Sequence, residues 1–189
     1  MSTARSLRSN EDLKRTEMRE RSSTFDVTVW IFSLFSAAHI VLWTLVPTFT
    51  QPNAPLDTIE MLYWGHEWQL SYYKHPPLPG WMAELSCMLM GNSIWPTYLT
   101  AQLCVVTCFW AVWQLARDFL NRWHALAAAF LLEASYYFNY ITPELNNNIV
   151  SRSFWALSIL FLYRAIIQGR FHWWMMTGAS LALGMLSKY

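Results

Sequence analysis

Along the chain, long apolar runs alternate with short polar segments rich in aromatic residues. Residues 1–25 carry Arg5, Arg8, Lys14, Arg15, Arg19 and Arg21 against four acids before the first run, and have no apolar face to bury. Val27 to Thr50 contains no charged residue and is long enough to cross about 30 Å of hydrocarbon. It is too long for a signal peptide and lacks a small-residue cleavage site. Gln51 to Pro79 is polar, aromatic and too charged for lipid. Leu89 to Ala116 is uncharged, with Gly91, Asn92 and Pro96 near its start. Three more apolar runs follow, Trp123–Thr142, Ile149–Tyr163 and Trp173–Leu186. The stretch Pro79–Met90 is apolar too, but it is only about a dozen residues and contains Glu84, whereas a span needs roughly 17–25. It is therefore predicted to be a helix lying in the outer interface.

The basic residues test that choice. If 79–90 does not span, Arg117, Arg122, Arg164 and Arg170 fall on the cytoplasmic side, and Lys74, Arg152 and Lys188 fall outside. If it does span, the balance reverses, against the positive-inside rule. The expected fold is all-α, with about five spans at 26–47, 95–116, 123–142, 150–167 and 173–189, and amphipathic juxtamembrane helices in the first outer loop. Residues 1–25 form a cytoplasmic tail and 26–189 a transmembrane domain. The segments 48–94 and 143–151 then meet on the outer face, with Lys188 beside them.

Composition agrees with a membrane protein. The chain is 54% hydrophobic, 17% aromatic and 13% charged, against about 25% charged in soluble domains. A net charge of +1 leaves no field for polyanions. A disordered chain, a nucleic-acid binder and an ordinary cytosolic enzyme are excluded. Cys87, Cys104 and Cys108 all sit in apolar stretches and read as small buried hydrophobes.

Candidate chemistry concentrates in the outer segments. On a helix over 55–68, Asp57, Glu60, Trp64 and Glu67 share one face, with Ile59, Leu62, Tyr63, His66 and Leu70 on a greasier one. This is either an acidic face turned to a cavity or a solvated surface. Lys74 and His75 precede the rigid pair Pro76-Pro77, where they could hold an anion such as phosphate or anchor the loop at the headgroups. Glu144 to Asn148 lands on the same side, and amides such as Asn147 suit sugar hydroxyls. Glu133 lies mid-span, where an unpaired charge is costly, and is left outside the site.

Four elements recur in a recognisable order: Asp57-x-x-Glu60, Tyr72-Tyr-Lys-His-Pro-Pro-Leu-Pro, Pro143-Glu-Leu-Asn-Asn-Asn and Leu183-Gly-Met-Leu-Ser-Lys-Tyr189. Together they resemble the membrane-embedded C-type glycosyltransferases, related to protein O-mannosyltransferases and the bacterial aminoarabinose transferase. The resemblance covers nearly all of the chain from residue 26. It implies a polyprenyl-phosphate-linked sugar donor and a catalytic acid in the first outer loop, Asp57 by motif match with Glu60 second. A lipid phosphate leaves without protonation, so one carboxylate base suffices. Lys74, His75, Arg152 or Lys188 could supply the cations that meet the departing charge.

The function expected is transfer of a sugar from a polyprenyl-phosphate donor to a hydroxyl of a lipid, glycan or protein acceptor. The place expected is the outer face of the cell membrane, with membrane lipids as partners and no nucleic acid. The alternatives are a polytopic transporter or scaffold, or an inactive fragment of the transferase. No metal ligand set or cofactor is assigned, and a divalent cation stays open. Relatives have further spans, so the chain is expected to be the N-terminal part of a larger enzyme and inactive alone.

Overall fold

A computed structural model describes residues 27–189. The charged tail 1–25 assigned to the cytoplasm lies outside the described residues. Seven α-helices follow one another: α1 Val27–Thr50, α2 Leu56–His66, α3 Leu78–Leu89, α4 Trp95–Ala116, α5 Arg122–Glu133, α6 Asn147–Gln168 and α7 Phe171–Met185. A one-turn 3₁₀ helix, Tyr136–Phe138, stands between α5 and α6. There is no strand among the described residues, as an all-α chain requires. Residues 35–189 form one compact unit, and every contact described below lies within it.

α1, α4 and α6, of 24, 22 and 22 residues, are long and apolar enough to cross a membrane. α5 and α7 have 12 and 15 residues, or about 18 and 22 Å at 1.5 Å per residue. The predicted span 123–142 is thus helical only as far as Glu133. Its later polar residues bond locally instead of continuing the helix. Asn139 Nδ2 donates to the Glu133 carbonyl at 2.5 Å, and Thr142 Oγ1 to the Asn139 carbonyl at 2.6 Å.

The core is built on small residues that let helices approach closely. Ala101, Cys104, Cys108 and Ala111 of α4 are buried, as are Ser151, Ser153 and Ser158 of α6. The three cysteines are free and buried. α6 ends on Gly169 at φ 63°, a left-handed cap that frees the chain to turn into α7.

The loop after α1 is a helical hairpin, α2 against α3. Gly65 and Gly80 meet so closely that a Cβ on Gly65 would stand 2.1 Å from the Gly80 carbonyl oxygen. The connecting loop folds back on α2, with Tyr72 stacked on Trp64 at 5.5 Å and its hydroxyl donating to the Trp64 carbonyl. Trp64 is therefore buried with Thr58, Met61 and Gly65. The greasier face points outward, with Ile59 48% and Tyr63 69% exposed.

Candidate active site

Two helix beginnings meet at the site, α2 from the loop after α1 and α6 after the Pro143-Glu-Leu-Asn turn. Leu145 is fully buried there, and its carbonyl accepts from Thr58 Oγ1 at 3.3 Å. The Asp57 backbone N–H donates to Glu144 Oε1 at 3.2 Å, placing an anion at the positive end of α2. Asn146 caps α6 by accepting from the Asn148 and Ile149 amides at 3.0 and 3.1 Å. Its Nδ2 reaches Asp57 Oδ2 at 3.4 Å. One asparagine therefore starts a membrane helix and touches the candidate base.

The Pro-Pro element is held from the other side. Leu78 N–H donates to the Leu186 carbonyl at 3.1 Å, tying the start of α3 to the end of α7. Lys188, just beyond α7, donates to Asn148 Oδ1 at 2.6 Å. Segments far apart in sequence thus converge, and two adjoining cavities open between them.

The smaller cavity, about 70 Å³, is lined by Asp57, Glu60, Met61, His75, Asn146–Asn148 and Lys188. At ~30 Å³ per water this is room for about two. Asn147 lines it at 5% exposure, and its Oδ1 has no hydrogen-bond partner in the protein. A buried acceptor without a partner calls for a donor from outside the chain. The larger cavity, about 530 Å³, shares Asn146, Asn148 and Lys188 with the smaller and adds Tyr137, Ile141, Ile149, Ser151, Arg152 and Trp155. That volume suits a drug-sized ligand. The stretch after α5, with its one-turn 3₁₀ helix, supplies Tyr137 and Ile141.

Charges are sorted across the two cavities. Lys74 Nζ grips both Glu60 oxygens at 2.9 and 3.0 Å. That hydrogen bond is the largest cause raising the Lys74 pKa above its ordinary value. Lys74 lines neither cavity. His75 stands edge-on to Trp64 at 5.7 Å, and burial first, then the Lys74 charge, lowers its pKa. Its ring is therefore neutral at pH 7. Burial raises the Glu144 pKa, against the pull of the Asp57 amide and with the push of the Asp57 carboxylate.

Arg152 and Lys188 differ from Lys74. Arg152 Nη1 donates to the Tyr137 carbonyl, and its guanidinium lies 4.7 Å over the Phe138 ring. Among the described residues neither Arg152 nor Lys188 forms an ion pair with a carboxylate. Asp57 has no cationic partner among them either. Asp57 and Glu60 line only the small cavity, Arg152 only the large one, and Lys188 stands where the two adjoin and lines both.

With this geometry in view, comparison with known proteins is informative. The family described as dolichyl-phosphate-mannose-protein mannosyltransferase matches residues 74–189. The chain belongs to this family. No curated protein and no solved structure matches it. The mannosyltransferase family is one of membrane glycosyltransferases, and the matched region takes in Lys74, His75, Glu144, Asn147, Arg152 and Lys188. Asp57 and Glu60 precede it and reach the site through the hairpin.

Sequence reasoning passed over Tyr137 and Trp155, which wall the larger cavity. The one signal for Tyr137 was the aromatic run Tyr136-Tyr-Phe shortly before Pro143-Glu-Leu-Asn, and nothing marked Trp155. For a metal, Asp57 and Glu144 supply carboxylates, but no group of three His, Cys, Asp or Glu gathers among the described residues.

Proposed function

We propose that this protein transfers a sugar from a polyprenyl-phosphate donor to an acceptor hydroxyl at the outer face of the cell membrane. The tail 1–25 is cytoplasmic on this reading. The observation that carries the reading is a pair of adjoining cavities with Asp57 on the smaller, Arg152 on the larger and Lys188 between them on both. A polyprenyl phosphosugar entering the larger cavity meets Arg152 and Lys188 with its phosphate. The acceptor hydroxyl enters the smaller one beside Asp57.

In the reaction the acceptor oxygen bonds to the anomeric carbon as its proton passes to the Asp57 carboxylate. The bond from that carbon to the phosphate oxygen breaks, and its electron pair leaves with the phosphate. Arg152 and Lys188 stabilise the departing charge, so the leaving group needs no acid. Glu60 is a less suitable base, because its two oxygens are occupied by Lys74. Lys74 enters the proposal as the partner that occupies both Glu60 oxygens, and His75 as a neutral ring at the small cavity. Asn147 Oδ1 accepts a hydroxyl hydrogen from the ligand, and Glu144 holds the start of α2 in place.

The test is donor binding by the purified protein in lipid nanodiscs, with undecaprenyl phosphate as probe. Arg152→Ala and Lys188→Ala should each weaken binding by about tenfold or more, the scale of one charge-assisted hydrogen bond. Wild-type affinity in both variants would remove the phosphate from this cavity.

A further inference from the structure

Glu133, set aside in the sequence, has partners in the fold. Phe35, His39 and Trp43 recur every four residues and form one stripe along α1. His39 Nδ1 lies 2.8 Å from Glu133 Oε2, and Trp43 Nε1 donates to Glu133 Oε1 at 3.3 Å. The other ring nitrogen of His39 lies 3.0 Å from Gln102 Oε1, and Gln102 is fully buried in α4. Oxygens thus face both nitrogens of a buried ring. Three helices meet at this knot, yet His39, Gln102 and Glu133 line neither cavity. Polar side chains gathered this closely between apolar helices invite a role.

We propose that His39 and Glu133 are positioning residues, which act by fixing the chain break after α5 and so hold Arg152 on the larger cavity. Two routes run from the knot to the guanidinium. The polar route starts at Glu133, whose backbone carbonyl accepts from Asn139 Nδ2 at 2.5 Å. That bond closes the turn, with Phe138 N–H on the Ser135 carbonyl at 2.9 Å, and the turn presents the Tyr137 carbonyl to Arg152 Nη1. The aromatic route starts at His39, which meets Phe109 edge-on at 5.1 Å. Phe109 packs on Phe138 at 5.7 Å, and Phe138 lies 4.7 Å beneath the guanidinium. Arg152 is long and flexible, and both of these holds come from one irregular segment. That segment is anchored at its start by the His39–Glu133 pair. The geometric claim stands by itself; its consequence for catalysis rests on the donor-phosphate reading above.

The experiment uses the double variant His39→Leu/Glu133→Met in the intact protein, since replacing both partners of a buried pair by apolar side chains leaves no orphaned charge. The first readout is the rate of phenylglyoxal modification at individual arginines, resolved by peptide mass spectrometry. Arg152 should react about tenfold faster once its hydrogen bond is released. Arg164, held by Gln114 and Asp118 outside this network, should not change. An unchanged Arg152 rate overturns the proposal. If both arginines become reactive because the fold is lost, Asn139→Ala decides. It cuts the polar route at the turn and leaves the membrane pair intact, so it should expose Arg152 alone, and an unchanged rate there is equally fatal.

The second readout is affinity for undecaprenyl phosphate. It should fall about tenfold in the double variant and no further when Arg152→Ala is already present, because the effect passes through Arg152. An equal loss in both backgrounds would show a structural effect that bypasses Arg152 and overturns the proposal. Wild-type affinity of Arg152→Ala alone would refute the donor-phosphate reading, with the labelling result still deciding the positioning role.

Discussion

Gly65→Ala is the sharpest test of how the hairpin places Asp57. The added Cβ would stand 2.1 Å from the Gly80 carbonyl oxygen, 2.7 Å from its carbon and 2.9 Å from Glu84 Cβ. The first two are backbone atoms and cannot swing aside. A relaxed carbon–oxygen contact is about 3.3 Å or more, so α2 and α3 must part by roughly 1 Å. Overpacking of this kind costs ~1–3 kcal/mol, and the gain of alanine over glycine in a helix returns at most about 1. At ~2–4 °C per kcal/mol for a domain of this size, a net loss of ~1–2 kcal/mol lowers the melting temperature by about 2–8 °C. Asp57 rides on the same helix, and a shift of ~1 Å against Asn146–Asn148 should cut turnover about 10²-fold. The assay pairs thermal unfolding in nanodiscs with sugar transfer. Gly80→Ala is the graded control, because its Cβ meets Gly65 N and the Met61 carbonyl at 3.2 Å and a slight shift admits it. Gly178→Ala meets nothing within 4 Å and should be neutral or stabilising. A Gly65→Ala protein that melts with Gly178→Ala would refute the close approach on which this reasoning depends.

Asn146→Ala should lose ~0.5–2 kcal/mol of stability with its cap, whereas Asn146→Asp keeps the cap and should lose transfer alone, by setting a second carboxylate against Asp57. Glu144 carries a pKa raised above its ordinary 4.5, so wild type should lose stability relative to Glu144→Gln as pH rises from 4.5 through the raised value; melting curves between pH 4 and 8 that stay parallel would contradict this. Single cysteines replacing the exposed Ser71 and Asn92, in a background without the three native ones, should react with an impermeant reagent from outside, and Leu120→Cys only after the membrane is opened. Labelling of Leu120→Cys from outside would reverse the topology.

The three longest helices were legible, α1 and α4 as uncharged runs of over twenty residues and α6 as a long apolar run despite Arg152 and Arg164. The fate of 123–142 was not, since its average apolarity conceals Glu133, Ser135 and Asn139, which bond locally and end the helix. The orientation of α2 was hidden for another reason. The sequence leaves open whether its acidic face meets a cavity or solvent, and the Gly65–Gly80 approach and the Trp64–Tyr72 stack decide which side is buried. Among the residues singled out in the sequence, Asp57, Glu60, His75, Asn147, Arg152 and Lys188 line the cavities. The engagement of Lys74 by Glu60 required the loop to fold back, and no spacing rule links positions on either side of such a loop. The partner of Glu133 was equally out of reach, because His39 belongs to another helix and reads in sequence as a lone polar residue in a span.

The central claim is that Asp57 deprotonates the acceptor while other residues hold the donor. The most direct measurement is single-turnover transfer from polyprenyl-phosphate mannose by Asp57→Asn, alongside its affinity for undecaprenyl phosphate. Asparagine keeps the shape and can still accept from Asn146 Nδ2, so the variant should insert and fold. Transfer should fall by ~10²–10⁴-fold, the scale of a general base, with donor affinity unchanged. Transfer within a few-fold of wild type would remove Asp57 from the mechanism, and a loss of donor affinity equal to the loss of rate would make it a binding group instead.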